Sequence, residues 1–128
     1  MTLRVKMLEK SPGIFHLAPA GSIDTATAPI LEGEVSRVLA ASPRAVIFEM
    51  GGVEYISSMG VRVVIRTKKE LARRGARFAM VDLTPPVRRV FEIVNALPRE
   101  EIFRSVRELD DYLSAMQKQV REEEGSGQ

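Results

Sequence analysis

Apolar residues change their period repeatedly along the chain, and each change marks an element. Leu3, Val5 and Met7 alternate with Arg4 and Lys6, which predicts a strand over Leu3 to Leu8. Ser11-Pro12-Gly13 is a turn and Ile14 to Ala18 a second strand, so the two form a hairpin that Pro19-Ala20-Gly21 ends. Gly21-Ser22-Ile23-Asp24 then leads into a helix with Leu31, Val35, Val38 and Leu39 on one face. Asp24 and Thr27 both suit its cap, Pro29 falls in its first turn, and Ser42-Pro43 stops it. The apolar run from Arg44 to Met50, bounded by Pro43 and Gly51-Gly52, predicts a strand buried on both faces. Met59, Val63, Val64, Thr67 and Leu71 recur at helical spacing until Gly75, and Ala76 to Val81 is strand-like again. Thr84-Pro85-Pro86 starts a helix carrying Val87, Val90, Phe91 and Val94, which Pro98 ends. Ile102-Phe103 is at most a short edge strand, and Ser105-Val106-Arg107-Glu108 has the capping-box pattern. The last helix aligns Leu109, Tyr112, Leu113, Met116 and Val120, read as core rather than a dimer face. Glu122 to Glu124 followed by Gly-Ser-Gly-Gln is a polar tail whose composition predicts disorder.

An initial hairpin followed by alternating strands and helices predicts an α/β domain. Its mixed sheet should hold four to five strands, with about four helices packed against it. The domain is placed at residues 1–116, with 117–128 as helix end and tail. A length of 128 residues suits one such domain, and 45% hydrophobic with 28% charged residues is the balance of a soluble globular chain. There is no cysteine, which leaves no disulfide or thiolate metal site, and no run apolar enough to span or insert into a membrane. These features predict a cytoplasmic protein. Net charge is only +2, although basic residues are dense between Arg62 and Arg89. With no Trp, two Tyr and five Phe, mostly inside apolar runs, that density argues for a solvated face or an acidic protein partner rather than direct nucleic-acid binding.

The stretch Tyr55-Ile56-Ser57-Ser58-Met59-Gly60 sets two hydroxyls between a buried strand and a helix with a basic outer face. Unpaired amides and the positive end of the helix dipole favour an anion there. The plainer reading is that Ser57 or Ser58 is an N-cap. Catalysis lacks its ingredients. The serines have no G-x-S-x-G elbow, and the single histidine, His16, sits on another strand and reads as structural. No glycine-rich phosphate loop, carboxylate pair in apolar sequence or metal-ligand cluster is present, so no enzyme, cofactor or metal is expected.

Three motifs, in order, resemble the STAS domain of bacterial anti-sigma factor antagonists (anti-anti-sigma factors), and the likeness runs from Leu3 to about Met116. Gly21-Ser22-Ile23-Asp24 is similar to the family's G-x-[LI]-D. Gly52-Val53-Glu54-Tyr55-Ile56-Ser57-Ser58-Met59-Gly60-Val61 is similar to its G-V-x-[FY]-[IM]-[DS]-S-x-G-[LV] corner. Leu83-Thr84-Pro85-Pro86-Val87-Arg88-Arg89-Val90-Phe91 is similar to its [LI]-[ST]-P-x-V-[RK]-R-[VL]-[FL]. The resemblance implies a partner switch. The unmodified protein binds an anti-sigma factor that is also a serine kinase, phosphorylation releases it, and a PP2C-type phosphatase resets it. The acceptor carried over is Ser58, with Ser57 as the alternative. Asp24, Ser57, Ser58, Met59 and Arg62 would form the partner surface of a monomer or weak homodimer. Ser57 stands where the family often has Asp, Met59 where it has a small hydroxyl, and Arg62 where glycine is common. Two other readings stay open: a STAS scaffold in which Ser58 is only a cap, and, more remotely, a small hydrolase.

Overall fold

The computed structural model describes residues 2–96 and 106–126. Among these residues, nine elements follow in chain order. They are β1 (Leu3–Ser11), β2 (Ile14–Ile23), α1 (Ala28–Ala40), β3 (Ala45–Glu49), β4 (Gly52–Ile56), α2 (Ser58–Arg73), β5 (Arg77–Val81), α3 (Pro85–Ala96) and α4 (Val106–Ser126). The expected hairpin is there: β1 and β2 pair antiparallel from Leu3↔Gly21 to Ser11↔Ile14. The other pairings are parallel, so the five-stranded sheet is mixed.

The ten-residue β2 organises the sheet, because its second edge is shared. Ile14 to Leu17 pair with β3, and Ala20 to Ile23 pair with β4. Pro19-Ala20-Gly21, expected to end the strand, lies inside it. Pro19 falls in the gap between the two ladders, which stop at Leu17 and resume at Ala20, so its missing N–H costs no bond there. Gly21 adopts φ +118°, and a Cβ there would lie 2.4 Å from Thr2 O, so only glycine lets β1 close over this point.

The spacing predicts one strand before the Ser-Ser corner, and the structure has two. Gly52–Ile56 is a separate strand, with Val53 and Ile56 buried and Glu54 exposed. Five residues after a Gly-Gly turn are too few to show a period of their own. β3 also departs from expectation: Val46 and Phe48 are buried, whereas Ala45, Ile47 and Glu49 are only half-buried, so one of its faces is partly open.

The helices pack on the sheet face that carries Phe15, Leu17, Val46 and Phe48, all buried. Leu31, Val35 and Val38 of α1, Val63, Val64 and Leu71 of α2, Val87, Val90 and Phe91 of α3 and Leu113 of α4 complete one core. The Phe48 and Phe78 rings meet edge to face at 5.5 Å. Across the sheet, register sets Leu8, His16, Ile47 and Ala79 in one row, and Leu8 remains exposed. His16 has no carboxylate near it in sequence, but the fold brings its Nδ1 within 3.7 Å of a Glu49 oxygen.

α4 runs to Ser126, so the polar stretch from Glu122, expected to be disordered, is helical as far as Ser126, and Gln117 is buried and bonded to the sheet. The expected edge strand at Ile102-Phe103 and the capping serine Ser105 lie outside the described residues. No helix among the described residues is long and apolar enough to cross a membrane.

Candidate functional site

The corner sits where β2 and β4 end side by side. Ser57 N donates to Ile23 O at 2.8 Å, which fixes the start of α2 against the residue just before Asp24. Two loops distant in sequence thus become one surface.

The Asp24 loop is locked from within. Asp24 Oδ1 accepts from Ala26 N at 3.0 Å and from Thr27 N at 2.9 Å. The Thr27 hydroxyl accepts from Asp24 N at 2.9 Å and donates to Ser22 O at 2.7 Å. Burial alone would push the Asp24 carboxyl up, but the hydrogen bonds from Thr27 and Ala26 together outweigh it and hold the group below the ordinary aspartate value. Thr27 occupies the N-cap position of α1 without capping it through its side chain, since its hydroxyl is engaged by the loop. The sequence offers Asp24 and Thr27 as alternative caps; in the fold they hold each other.

The two serines have different tasks. Ser57 is extended (φ −90°, ψ 175°), only 3% exposed, and is the N-cap of α2, its Oγ accepting from Gly60 N at 3.4 Å. Ser58 is the first helical residue and is half-buried, with its Oγ turned out of solvent. The first turn carries no acidic residue, so the positive end of the α2 dipole is not neutralised locally. Met59 is half-buried against the core, and Arg62, one turn on, is exposed. The Asp24 loop and the two serines are therefore joined through neighbouring residues, with Met59 turned partly inward and Arg62 exposed.

Gly60 is what lets the corner close. A Cβ at this position would lie 2.7 Å from both Ile23 Cγ2 and Ile56 Cγ1, the ends of β2 and β4. Gly60→Ala gains up to about 1 kcal/mol of helix propensity, less in a first turn, against overpacking that costs about 1–3 kcal/mol. The expected outcome is a net loss of about 1–2 kcal/mol, read as a lower urea midpoint; a variant as stable as wild type would show that the corner can open without strain.

The edge of β4 away from β2 is closed by side chains of α4, which nothing local in the sequence announces. Gln117 accepts from Ile56 N at 2.9 Å and donates to Ile56 O at 2.8 Å, standing in for a sixth strand at one residue. Its remaining amide proton goes to Leu113 O at 3.1 Å. Arg121 Nη2 donates to Glu54 O at 3.0 Å, and the Tyr55 and Ser114 hydroxyls meet at 2.5 Å. The Thr84 hydroxyl, expected as a helix cap, donates to Val53 O at 3.2 Å and ties α3 to the same strand. The one available hint was a glutamine set into the apolar series Leu113, Met116, Val120. Among the described residues no group of three or more His, Cys, Asp or Glu is placed to hold a metal ion.

The chain matches the STAS domain family over residues 6–109. BtrV of Bordetella bronchiseptica, which carries the name of an anti-sigma factor antagonist, is 34% identical over 86 residues, 67% of this chain and 74% of BtrV. The crystal structure of an anti-sigma factor antagonist from Mycobacterium paratuberculosis superimposes with a TM-score of 0.64 at 26% identity, covering 94% of this chain and 95% of that one. The anti-sigma factor antagonist SpoIIAA in its unphosphorylated form gives a TM-score of 0.65 over 72% of this chain and 81% of its own, at 17% identity, which is a likeness of fold.

Proposed function

The chain belongs to the STAS domain family, and from that premise we propose that it is an anti-sigma factor antagonist whose hold on its partner is released by phosphorylation of Ser58. The partner is an anti-sigma factor that is also a serine kinase; a PP2C-type phosphatase returns the protein to its binding form. The contact surface is the joined pair of loops, with Asp24, Ser57 and Ser58 at its centre and Met59 and Arg62 beside them.

The observation that carries the reading is the division between the serines. Ser57 is committed to capping, so a phosphate on it would have to enter a site 3% exposed and would abolish the cap. Ser58 stands one residue on, at the first position of α2, where a phosphate meets the dipole of a turn without acidic side chains. SpoIIAA, of the same fold, is known in a phosphorylated form.

The test is the intact mass of the protein isolated from its own cells. One phosphate is expected on wild type and on Ser57→Ala, and none on Ser58→Ala. A phosphate that survives in Ser58→Ala, or its absence from wild type under every growth condition, overturns the assignment.

A further inference from the structure

The pole of the domain opposite Ser58 holds a second feature. α2 runs 16 residues from the corner, about 24 Å at 1.5 Å per residue. Where it ends, an open cavity of about 520 Å³ lies among the starts of β2, β3 and β5, lined by Arg44, Arg74 and Arg77. No Asp or Glu and no aromatic residue is among its described lining residues.

Helix C-termini attract cations, and α1 and α2 both end here, so the arginines could simply answer their carbonyls. Arg74 does so: its Nη1 donates to Leu39 O at 2.7 Å and its Nε to Glu70 Oε1 at 3.0 Å. Glu70 is taken up by Arg73 and Arg74, whose hydrogen bonds hold its carboxyl down to about 2. Neither of the other two arginines is among its partners. Arg44 and Arg77 run side by side, Arg77 N donating to Arg44 O at 2.9 Å. Both are exposed, and among the described residues neither guanidinium has an ion pair or hydrogen bond. Three positive charges line the cavity, and the two helix ends together offset only about one of them.

We propose that this basal cavity binds a pyrophosphate-type oxyanion, with Arg44 and Arg77 as its two forks and Arg74 as a fixed third charge. Planar guanidinium groups match phosphate oxygens two at a time, and the volume lies in the range of small-ligand sites. With no aromatic lining to stack on a base, the phosphates themselves are what is recognised. The same chemistry is offered by a free polyphosphate or by the headgroup of an anionic lipid. The proposal is independent of the Ser58 switch, and its test leaves the corner untouched.

Full-length wild type, Arg44→Gln/Arg77→Gln and Arg88→Gln/Arg89→Gln are compared by calorimetry with sodium pyrophosphate. Sedimentation with phosphatidylcholine vesicles containing phosphatidylglycerol forms the second arm. The third protein removes the same charge from α3, away from the cavity. Saturable binding weakened on the order of tenfold or more in Arg44→Gln/Arg77→Gln, and unchanged in the α3 pair, is the expected result. If pyrophosphate gives this pattern the ligand is a soluble polyphosphate, and if only vesicles give it the ligand is a lipid headgroup. No saturable binding of wild type to either probe, or an equal loss in both variants, overturns the proposal.

Discussion

Ser58→Asp is expected to fold as the wild type does and to bind the anti-sigma kinase proposed as its partner more than a hundredfold more weakly. A carboxylate at the first position of α2 meets the positive end of the dipole, worth about 0.3–1 kcal/mol in favour of the fold. Thermal unfolding should therefore be unchanged or slightly raised. Across an interface the same charge is unfavourable. It loses its water, and the kinase proposed as partner would bring nucleotide phosphates of its own to the interface. A full phosphate brings about −1.5 to −2 charges, and roughly 3 kcal/mol of repulsion and desolvation already exceeds a hundredfold in affinity. Ser58→Ala should bind like wild type and no longer respond to the kinase and ATP. The measurement is titration of the partner against the three proteins, each first checked for folding. A folded Ser58→Asp that still binds tightly would sink the switch and leave the corner as a fixed contact surface.

Gln117→Leu is expected to lose about 2–5 kcal/mol of stability. The substitution nearly conserves volume, so the cost is not a cavity. It leaves Ile56 N and Ile56 O, both now bonded to Gln117, without partners in a buried place, and each such group costs about 1–3 kcal/mol. A neutral isostere separates polar satisfaction from packing, which alanine would not. Denaturant unfolding gives the magnitude, and hydrogen exchange gives the location. The amides from Ile56 to Met59 should lose more protection than those of β3. A loss below about 0.5 kcal/mol would mean that water replaces Gln117 at no cost and that α4 does not hold the corner.

Much of the fold could be read in the chain because its signals are local. The hairpin turn at Ser11-Pro12-Gly13, the stripe along α2 and the Pro-Pro start of α3 each act within a few residues. The Asp24 loop and the Ser-Ser corner could be read too, as motifs, though not their contact. That contact rests on Ser57 N and Ile23 O, 34 positions apart. β4 was illegible because it is short and begins in a Gly-Gly pair. The full length of β2 was hidden by Pro19, which breaks a strand only where a ladder needs its N–H. On the edge shared by β3 and β4, neither ladder includes Pro19. The role of Gln117 could not be found from sequence, because a polar residue in an apolar stripe says that it is satisfied without saying by what.

That same contact has a consequence for how the protein is made. Ile56 and Gln117 are separated by 61 residues, and synthesis at about 5–20 residues per second puts roughly 3–12 s between them. During that interval the nascent chain already carries Ser58 and has one edge of β4 uncovered, the kind of edge that recruits wrong strands. Ser58, near the middle of the chain, is thus translated well before the α4 side chains that close the strand leading into it.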